Sequence, residues 1–151
     1  MNKMRKYLKT EADVEFFACT HGASTIFMYG LMQWLGGIDD VPFSIIFQQM
    51  VLGYVISWTQ KGLFLREKSY TRREYQIREI LWCLIPGCLM VLTGIVFQWF
   101  PDVSWGITVA FYVIMACYFI MIWLFLKYIY REETKEMNEL LKQRKQREEL
   151  L

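Results

Sequence analysis

Charge is missing from four long stretches of this chain. Although 21% of the sequence is charged, no Asp, Glu, Lys or Arg occurs in residues 16–38, 41–60, 80–101 and 103–126. Each stretch has roughly the 20 residues that an α-helix needs to cross the hydrocarbon core of a bilayer. A soluble domain would instead distribute its charges through its helices or strands. The pattern therefore argues against an independent soluble domain. It predicts four membrane spans, at about residues 14–36, 42–61, 79–100 and 104–128.

Lys and Arg are missing from two of the three connections between these spans. The connections "GGIDDVP" and "FPDVS" carry only Asp39, Asp40 and Asp102, whereas all 17 Lys and Arg residues lie in the N-terminal arm, the middle connection and the C-terminal segment. Short segments that carry Lys and Arg stay cytoplasmic. We therefore predict an all-α, polytopic plasma-membrane protein. Its four transmembrane helices form two antiparallel hairpins, and both termini are cytoplasmic.

Three tryptophans lie beside the two acidic connections, at positions 34, 99 and 105. Their amphipathic rings favour the boundary between membrane and water. We predict that Trp34, Trp99 and Trp105 mark the outer boundary of the bilayer.

The residue combinations of an enzyme or a metal centre are missing as well. The single histidine has no Ser or Cys partner in a recognisable catalytic pattern, and the chain has no phosphate-binding glycine loop. Cys83 and Cys88 are separated by about 140° around a helix, which is poor spacing for two metal ligands. We predict no enzymatic activity, no bound metal and no cofactor.

Four polar groups inside the predicted spans need hydrogen-bond partners. His21 is either a proton sensor or ligand-binding group, or a neutral imidazole bonded to a neighbouring helix or its own turn. Gln48 and Gln49 favour hydrogen bonds between helices, with a substrate site as the alternative. Pro86 removes the hydrogen bond to the carbonyl of Trp82, which predicts a kink that is either a fixed packing feature or a hinge.

Small residues recur at helical spacing on the third and fourth spans, and they form two seams. The seams are Cys83, Gly87, Met90 and Gly94 on the third span, and Gly106, Ala110, Val113 and Cys117 on the fourth. Small side chains let two helix backbones approach closely. We expect the seams to pack helices within one chain, and a homo-oligomer is the alternative.

Glycine and proline are absent after Gly106, so the fourth helix can continue beyond the membrane domain (residues 1–130). It is predicted to form a charged, cytoplasmic helical tail over residues 131–151. Met137, Leu140 and Leu141 make a short apolar strip on that tail. The strip is too short for a coiled coil, which needs several heptads. It is a candidate contact for a protein partner, or the tail is simply a solvated helix.

The middle connection places arginines among aromatic residues. Arg66, Arg72, Arg73 and Arg78 offer guanidinium groups suited to carboxylates on a partner, or to anionic lipid headgroups. Direct binding of nucleic acid is not expected for so short a connection beside a bilayer.

Two stretches of the second half carry a family resemblance, "GIVFQWFPDVSWG" and "IMIWLFLKYIYREETKEMNELL". Over roughly residues 76–142 the chain resembles a bacterial domain-of-unknown-function family of small four-span membrane proteins, typically encoded beside LytTR-type DNA-binding regulators. The resemblance implies a membrane protein that binds and restrains, or signals to, such a cytoplasmic transcription regulator. It supplies no catalytic residues.

Two other functions are compatible with the sequence. The first is an accessory subunit of a larger, ABC-type transporter. The second is a small four-span efflux transporter, which is disfavoured because the cores of all four predicted spans lack the carboxylate that such carriers typically use.

The predicted topology can be tested by cysteine labelling in intact cells. In a cysteine-free background, Asp39→Cys and Asp102→Cys should react with an impermeant maleimide, because the acidic connections face outward. Ser69→Cys and Gln143→Cys should react only after the cells are opened. Labelling of Ser69→Cys in intact cells would reverse the orientation and overturn the predicted cytoplasmic surfaces.

Overall fold

A computed structural model describes residues 3–64 and 71–149 of the chain. Every regular element in those ranges is an α-helix, so the predicted all-α class is confirmed. The helices are α1 (Lys3–Leu35), α2 (Phe43–Phe64), α3 (Arg72–Val96) and α4 (Trp105–Glu149). The predicted helical tail is thus the C-terminal part of one continuous helix.

The start of α3 differs from the prediction, which placed a cytoplasmic loop up to residue 79. Thr71 caps the helix: its hydroxyl accepts a hydrogen bond from the N–H of Glu74, and the Glu74 carboxylate accepts one from the N–H of Thr71 at 3.0 Å. This reciprocal capping box satisfies two backbone donors at the helix start. Residues 72–79 are therefore helical, and the loop prediction is wrong for them.

The four helices form a bundle in which neighbours in the chain are neighbours in space. Contacts join α1 to α2, α2 to α3, α3 to α4 and α4 to α1, and the interface of α1 with α2 is the most extensive. One end of the bundle, here called the basic end, holds the start of α1, the end of α2 and the start of α3. The other, the acidic end, holds the two connections with Asp39, Asp40 and Asp102. Successive helices are therefore antiparallel.

The backbones of α1 and α2 touch at two glycines. A Cβ atom added to Gly53 would lie 2.6 Å from the carbonyl oxygen of Ala18 and 3.0 Å from the backbone nitrogen of Gly22. No real Cβ contact is that short, so only glycine fits at position 53. Ala18 and Gly22 are four residues apart, which is the small-residue spacing of closely packed membrane helices.

Trp99 lies at the acidic end of the bundle and is fully buried. Its indole N–H donates to the side-chain oxygen of Gln48 at 3.0 Å, and its carbonyl accepts from the hydroxyl of Tyr29 at 2.9 Å. Gln98 adopts a positive φ of 50°, so that the N–H of Trp99 turns back to the carbonyl of Gly94 at 3.0 Å and ends α3. Trp99 is therefore a packing residue at the acidic end, whereas Trp34 and Trp105 are exposed there; the position of the three rings at a membrane boundary stays a prediction.

The two small-residue seams have different positions in the bundle. On α3, Met90 and Gly94 are buried, and Gly94 lies against the ring of Tyr112 on α4. On α4, Val113 and Cys117 are exposed, because Phe111, Met115 and Phe119 occupy the inward face. The expectation of packing within one chain is wrong for the α4 seam.

Two of the described helices are long and apolar enough to cross a membrane, α3 (Arg72–Val96) and α4 over Trp105–Lys142. The helices α1 and α2 contain several polar side chains, including His21, Gln33, Gln49 and Gln60, and all four of these are buried in the bundle.

The close contact of α1 with α2 predicts that Gly53→Ala destabilises the protein. The added methyl group has no space, so we expect the free energy of unfolding in detergent to fall by about 1–3 kcal/mol. Gly62→Ala is the matched control on the same helix, because a Cβ at Gly62 meets no atom within 4 Å. It should be neutral or stabilising by up to about 1 kcal/mol. Equal stability of the two variants would contradict the close approach.

Candidate functional site

A hydrogen-bonded network centred on His21 joins all four helices. The imidazole is fully buried; its Nε2 lies 3.0 Å from the side-chain oxygen of Gln60 on α2, and its Nδ1 lies 3.1 Å from the hydroxyl of Tyr118 on α4. The amide N–H of Gln60 donates to the carbonyl of Trp82 on α3 at 3.3 Å. Because the Gln60 oxygen can only accept, Nε2 donates to it, and in a neutral imidazole Nδ1 is then the acceptor for the Tyr118 hydroxyl. The imidazole is thus hydrogen-bonded to two neighbouring helices.

The bond from Gln60 to Trp82 resolves a problem that Pro86 creates. Pro86 lies inside α3 and has no N–H to donate to the carbonyl four residues earlier, which is that of Trp82. A buried carbonyl without a partner would be unfavourable in an apolar environment. Gln60 supplies the missing donor from α2. Because a neighbouring helix holds the proline segment in this way, the contact favours a fixed packing feature over a hinge.

The other two predicted polar residues have different environments. Gln48 is half-buried and accepts the hydrogen bond from Trp99 described above, so it acts between helices. Gln49 is buried, and neither its side-chain oxygen nor its nitrogen has a hydrogen-bond partner among the described residues. The prediction of bonds between helices therefore fits Gln48 and fails for Gln49.

One face of α2 carries several polar residues, of which the sequence alone identifies only Gln49. Ser57 and Gln60 are buried on the same face of α2 as Gln49 and Gly53. Their spacing of four, four and three residues is the signal that identifies one helix face. The hydroxyl of Ser57, like the amide of Gln49, has no partner among the described residues. Buried polar groups are normally paired, so such exceptions require an explanation, such as an ordered water or ligand.

Ser57 and Gln60 lie at the inner wall of a cavity of about 440 Å³ that opens at the basic end. All four helices contribute to this basic-end cavity, so it lies along the centre of the bundle. Half of the remaining lining residues are aromatic, and these rings belong to Phe17, Phe64, Tyr75, Trp82, Trp123 and Tyr130.

Two ion pairs lie on the wall of the basic-end cavity. The ammonium of Lys61 is 2.8 Å from the carboxylate of Asp13, and that of Lys127 is 3.1 Å from the carboxylate of Glu79. Lys127 also lies 4.6 Å from the centre of the Trp123 ring, within the range of a cation–π interaction. The four charges therefore cancel in pairs, and the described residues of the wall have no net charge.

A larger groove of about 760 Å³ lies between α3 and α4. It is lined almost entirely by apolar side chains, such as Leu84, Val91, Ile95 and Ile120, many of which are exposed. Nothing polar in its centre indicates a specific ligand.

The residues predicted to bind a partner differ in their exposure. Met137, Leu140 and Leu141 are exposed by 64%, 60% and 57%, respectively, and lie together on α4. Arg72 and Arg73 are exposed in the first turn of α3.

Arg78 does not form a free surface with these two arginines. Arg78 is half-buried and donates to the carbonyl of Leu63 in the last turn of α2. A cation there satisfies a helix-terminal carbonyl and complements the helix dipole. Arg66 lies outside the described residues.

Comparisons with protein families, with curated proteins and with solved structures find no match for this chain.

The network predicts that Gln60→Leu destabilises the bundle although leucine is similar in size. The substitution leaves the Nε2–H of His21 and the Trp82 carbonyl without partners, so the free energy of unfolding should fall by about 1–3 kcal/mol for each group. Thr59→Val is the control at the next position, since the Thr59 hydroxyl bonds only to the carbonyl of Val55 on its own helix. Denaturant unfolding in detergent micelles measures the stability of both variants. A Gln60→Leu protein as stable as Thr59→Val would contradict the network.

Proposed function

We propose that this chain is a four-span membrane protein that binds and restrains, or signals to, a cytoplasmic DNA-binding regulator of the LytTR type through the C-terminal part of α4. Both termini lie in the cytoplasm. The observation that carries the proposal is the exposed apolar strip of Met137, Leu140 and Leu141 on a helix that extends from the membrane bundle.

The distribution of polarity in the bundle supports four spans. On α1 and α2 the polar residues His21, Gln49 and Gln60 are buried, whereas large apolar residues such as Phe27 and Phe47 are exposed by 72% and 62%. Soluble proteins rarely expose contiguous apolar surfaces of this kind. The inverted arrangement suits a lipid environment. It also explains why only α3 and α4 contain a long, continuously apolar segment among the described helices: the polar residues that interrupt α1 and α2 face the inside of the bundle.

The length of α4 supports a cytoplasmic extension. The helix has 45 residues, so it is about 67 Å long at 1.5 Å per residue. The hydrocarbon core needs only about 30 Å of it. The basic end, from which α4 extends, is the cytoplasmic side by the positive-inside rule.

The exposed strip suits docking into an apolar groove of a soluble partner. Amphipathic helices are commonly recognised through apolar residues three or four positions apart, and Met137, Leu140 and Leu141 have this spacing. Arg72 and Arg73 add exposed positive charge at the same end of the bundle. The regulator as partner comes from the family resemblance. An accessory subunit of a transporter would use the same surfaces, so the identity of the bound protein distinguishes the two functions.

We expect Leu140→Ser combined with Leu141→Ser to release the regulator, because the apolar contact is lost. Truncation after Tyr130, or Arg72→Glu with Arg73→Glu, should have the same effect. The measurements are transcription from the regulator's own promoter and co-purification of the regulator with the membrane protein. Thr134→Ser combined with Asn138→Ser is the matched control on the same exposed segment of α4.

Membrane insertion and orientation must be checked in each strain, since reversing two charges can change topology. If deletion of the whole gene leaves the transcription unchanged and nothing co-purifies, the regulatory function is wrong. Co-purification of a transporter permease instead would favour the accessory subunit. If deletion matters but the variants behave like the wild type, the function stands and the contact residues are wrong.

A further inference from the structure

The hydroxyl of Ser57 is a buried hydrogen-bonding group without a partner in the described part of the chain. Ser57 is only 3% exposed, and its oxygen neither donates a hydrogen bond to, nor accepts one from, any residue that the structure describes. A hydroxyl can donate one hydrogen bond and accept two. Ser57 lies in the wall of the basic-end cavity, next to the Gln60 network. The hydroxyl is therefore an unused hydrogen-bond donor of a residue that lines the cavity.

The walls of the cavity indicate the shape of that molecule. A volume of about 440 Å³ falls in the range of about 300–1,000 Å³ that is usual for small-molecule sites. Six of the fourteen residues that line the cavity are aromatic, and Trp82 and Trp123 are the largest of them. Aromatic faces and edges pack well against flat, unsaturated molecules.

The paired charges indicate the charge of the molecule. Asp13 is neutralised by Lys61 and Glu79 by Lys127, so the described residues of the wall offer no uncompensated charge to a ligand. An ionic ligand would have to separate one of these pairs or enter the aromatic interior without a counter-charge, and burial of an unpaired charge is strongly unfavourable. The same argument disfavours a phospholipid headgroup.

We propose that the basic-end cavity binds a small, flat, uncharged molecule that carries a hydrogen-bond acceptor, and that the Ser57 hydroxyl donates to this acceptor. The cavity is bounded by residues 13–130, so this site is separate from the apolar strip of the tail. The ligand site does not depend on the proposed regulatory function.

Flavone is a suitable probe because it is flat, neutral and carries a carbonyl acceptor. Its binding to the purified full-length protein in detergent micelles can be followed by quenching of tryptophan fluorescence, since Trp82 and Trp123 are in the cavity wall. We expect saturable quenching. Ser57→Ala should weaken the affinity about fivefold, the loss of one neutral hydrogen bond. The unfolding temperature of Ser57→Ala should be unchanged or higher, because the removed hydroxyl had no partner.

Two further variants separate the site from non-specific uptake of flavone by the micelle. Ser44→Ala changes an exposed serine at the far end of the same helix and should bind flavone like the wild type. Ser57→Leu should reduce binding at least tenfold by filling the inner wall. Trp82→Phe and Trp123→Phe should each reduce the quenching amplitude.

Three results would overturn the proposal. The first is quenching that does not saturate, or that is the same in the wild type and in Ser57→Leu. The second is equally tight, Ser57-dependent binding of the anion 8-anilinonaphthalene-1-sulfonate, which would contradict a neutral ligand. The third is a tightly bound phospholipid that flavone displaces, which would identify a lipid site. None of these results affects the binding of a regulator by the tail.

Discussion

The arrangement of the bundle depends on the two hydrogen bonds made by the side-chain amide of Gln60. Its nitrogen donates to the Trp82 carbonyl that Pro86 leaves without a partner, and its oxygen accepts from the buried imidazole of His21. One side chain therefore satisfies two buried groups on two other helices. This geometry requires α1 and α2 to lie very close together, and Gly53 permits that by packing directly against the backbone of Ala18 and Gly22.

The interior network and the apolar exterior together support the proposed membrane location. In water, burial of apolar groups drives helices together, but lipid provides no such force, and close packing and hydrogen bonds must replace it. The bundle has both: glycine contacts between α1 and α2, and a chain of hydrogen bonds from Trp82 through Gln60 and His21 to Tyr118. At the acidic end, Trp99 performs a similar function by bonding to Gln48 and Tyr29.

The basic end combines two features on one helix. Trp123 and Lys127 of α4 line the basic-end cavity, and the exposed strip of Met137, Leu140 and Leu141 follows farther along the same continuous helix. The paired charges of Asp13 with Lys61 and Glu79 with Lys127 keep the mouth of the cavity neutral, although this end carries most of the charge of the protein. A ligand site inside the bundle and a protein contact outside it can therefore coexist without sharing residues.

The sequence by itself determined the helical class, the approximate position of each helix, and the continuity of α4, because these follow from local patterns: charge-free stretches, turn residues, and the absence of glycine and proline after Gly106. It also pointed to the Trp82 carbonyl as a group in need of a donor. Only the tertiary structure decided that Gln60 supplies the donor, that Trp99 is buried, that Arg78 bonds to the end of α2, and that the α4 seam faces outward. These outcomes depend on the rotation of each helix about its axis and on contacts between residues far apart in the chain. A local pattern contains no information about which side of one helix will meet which side of another.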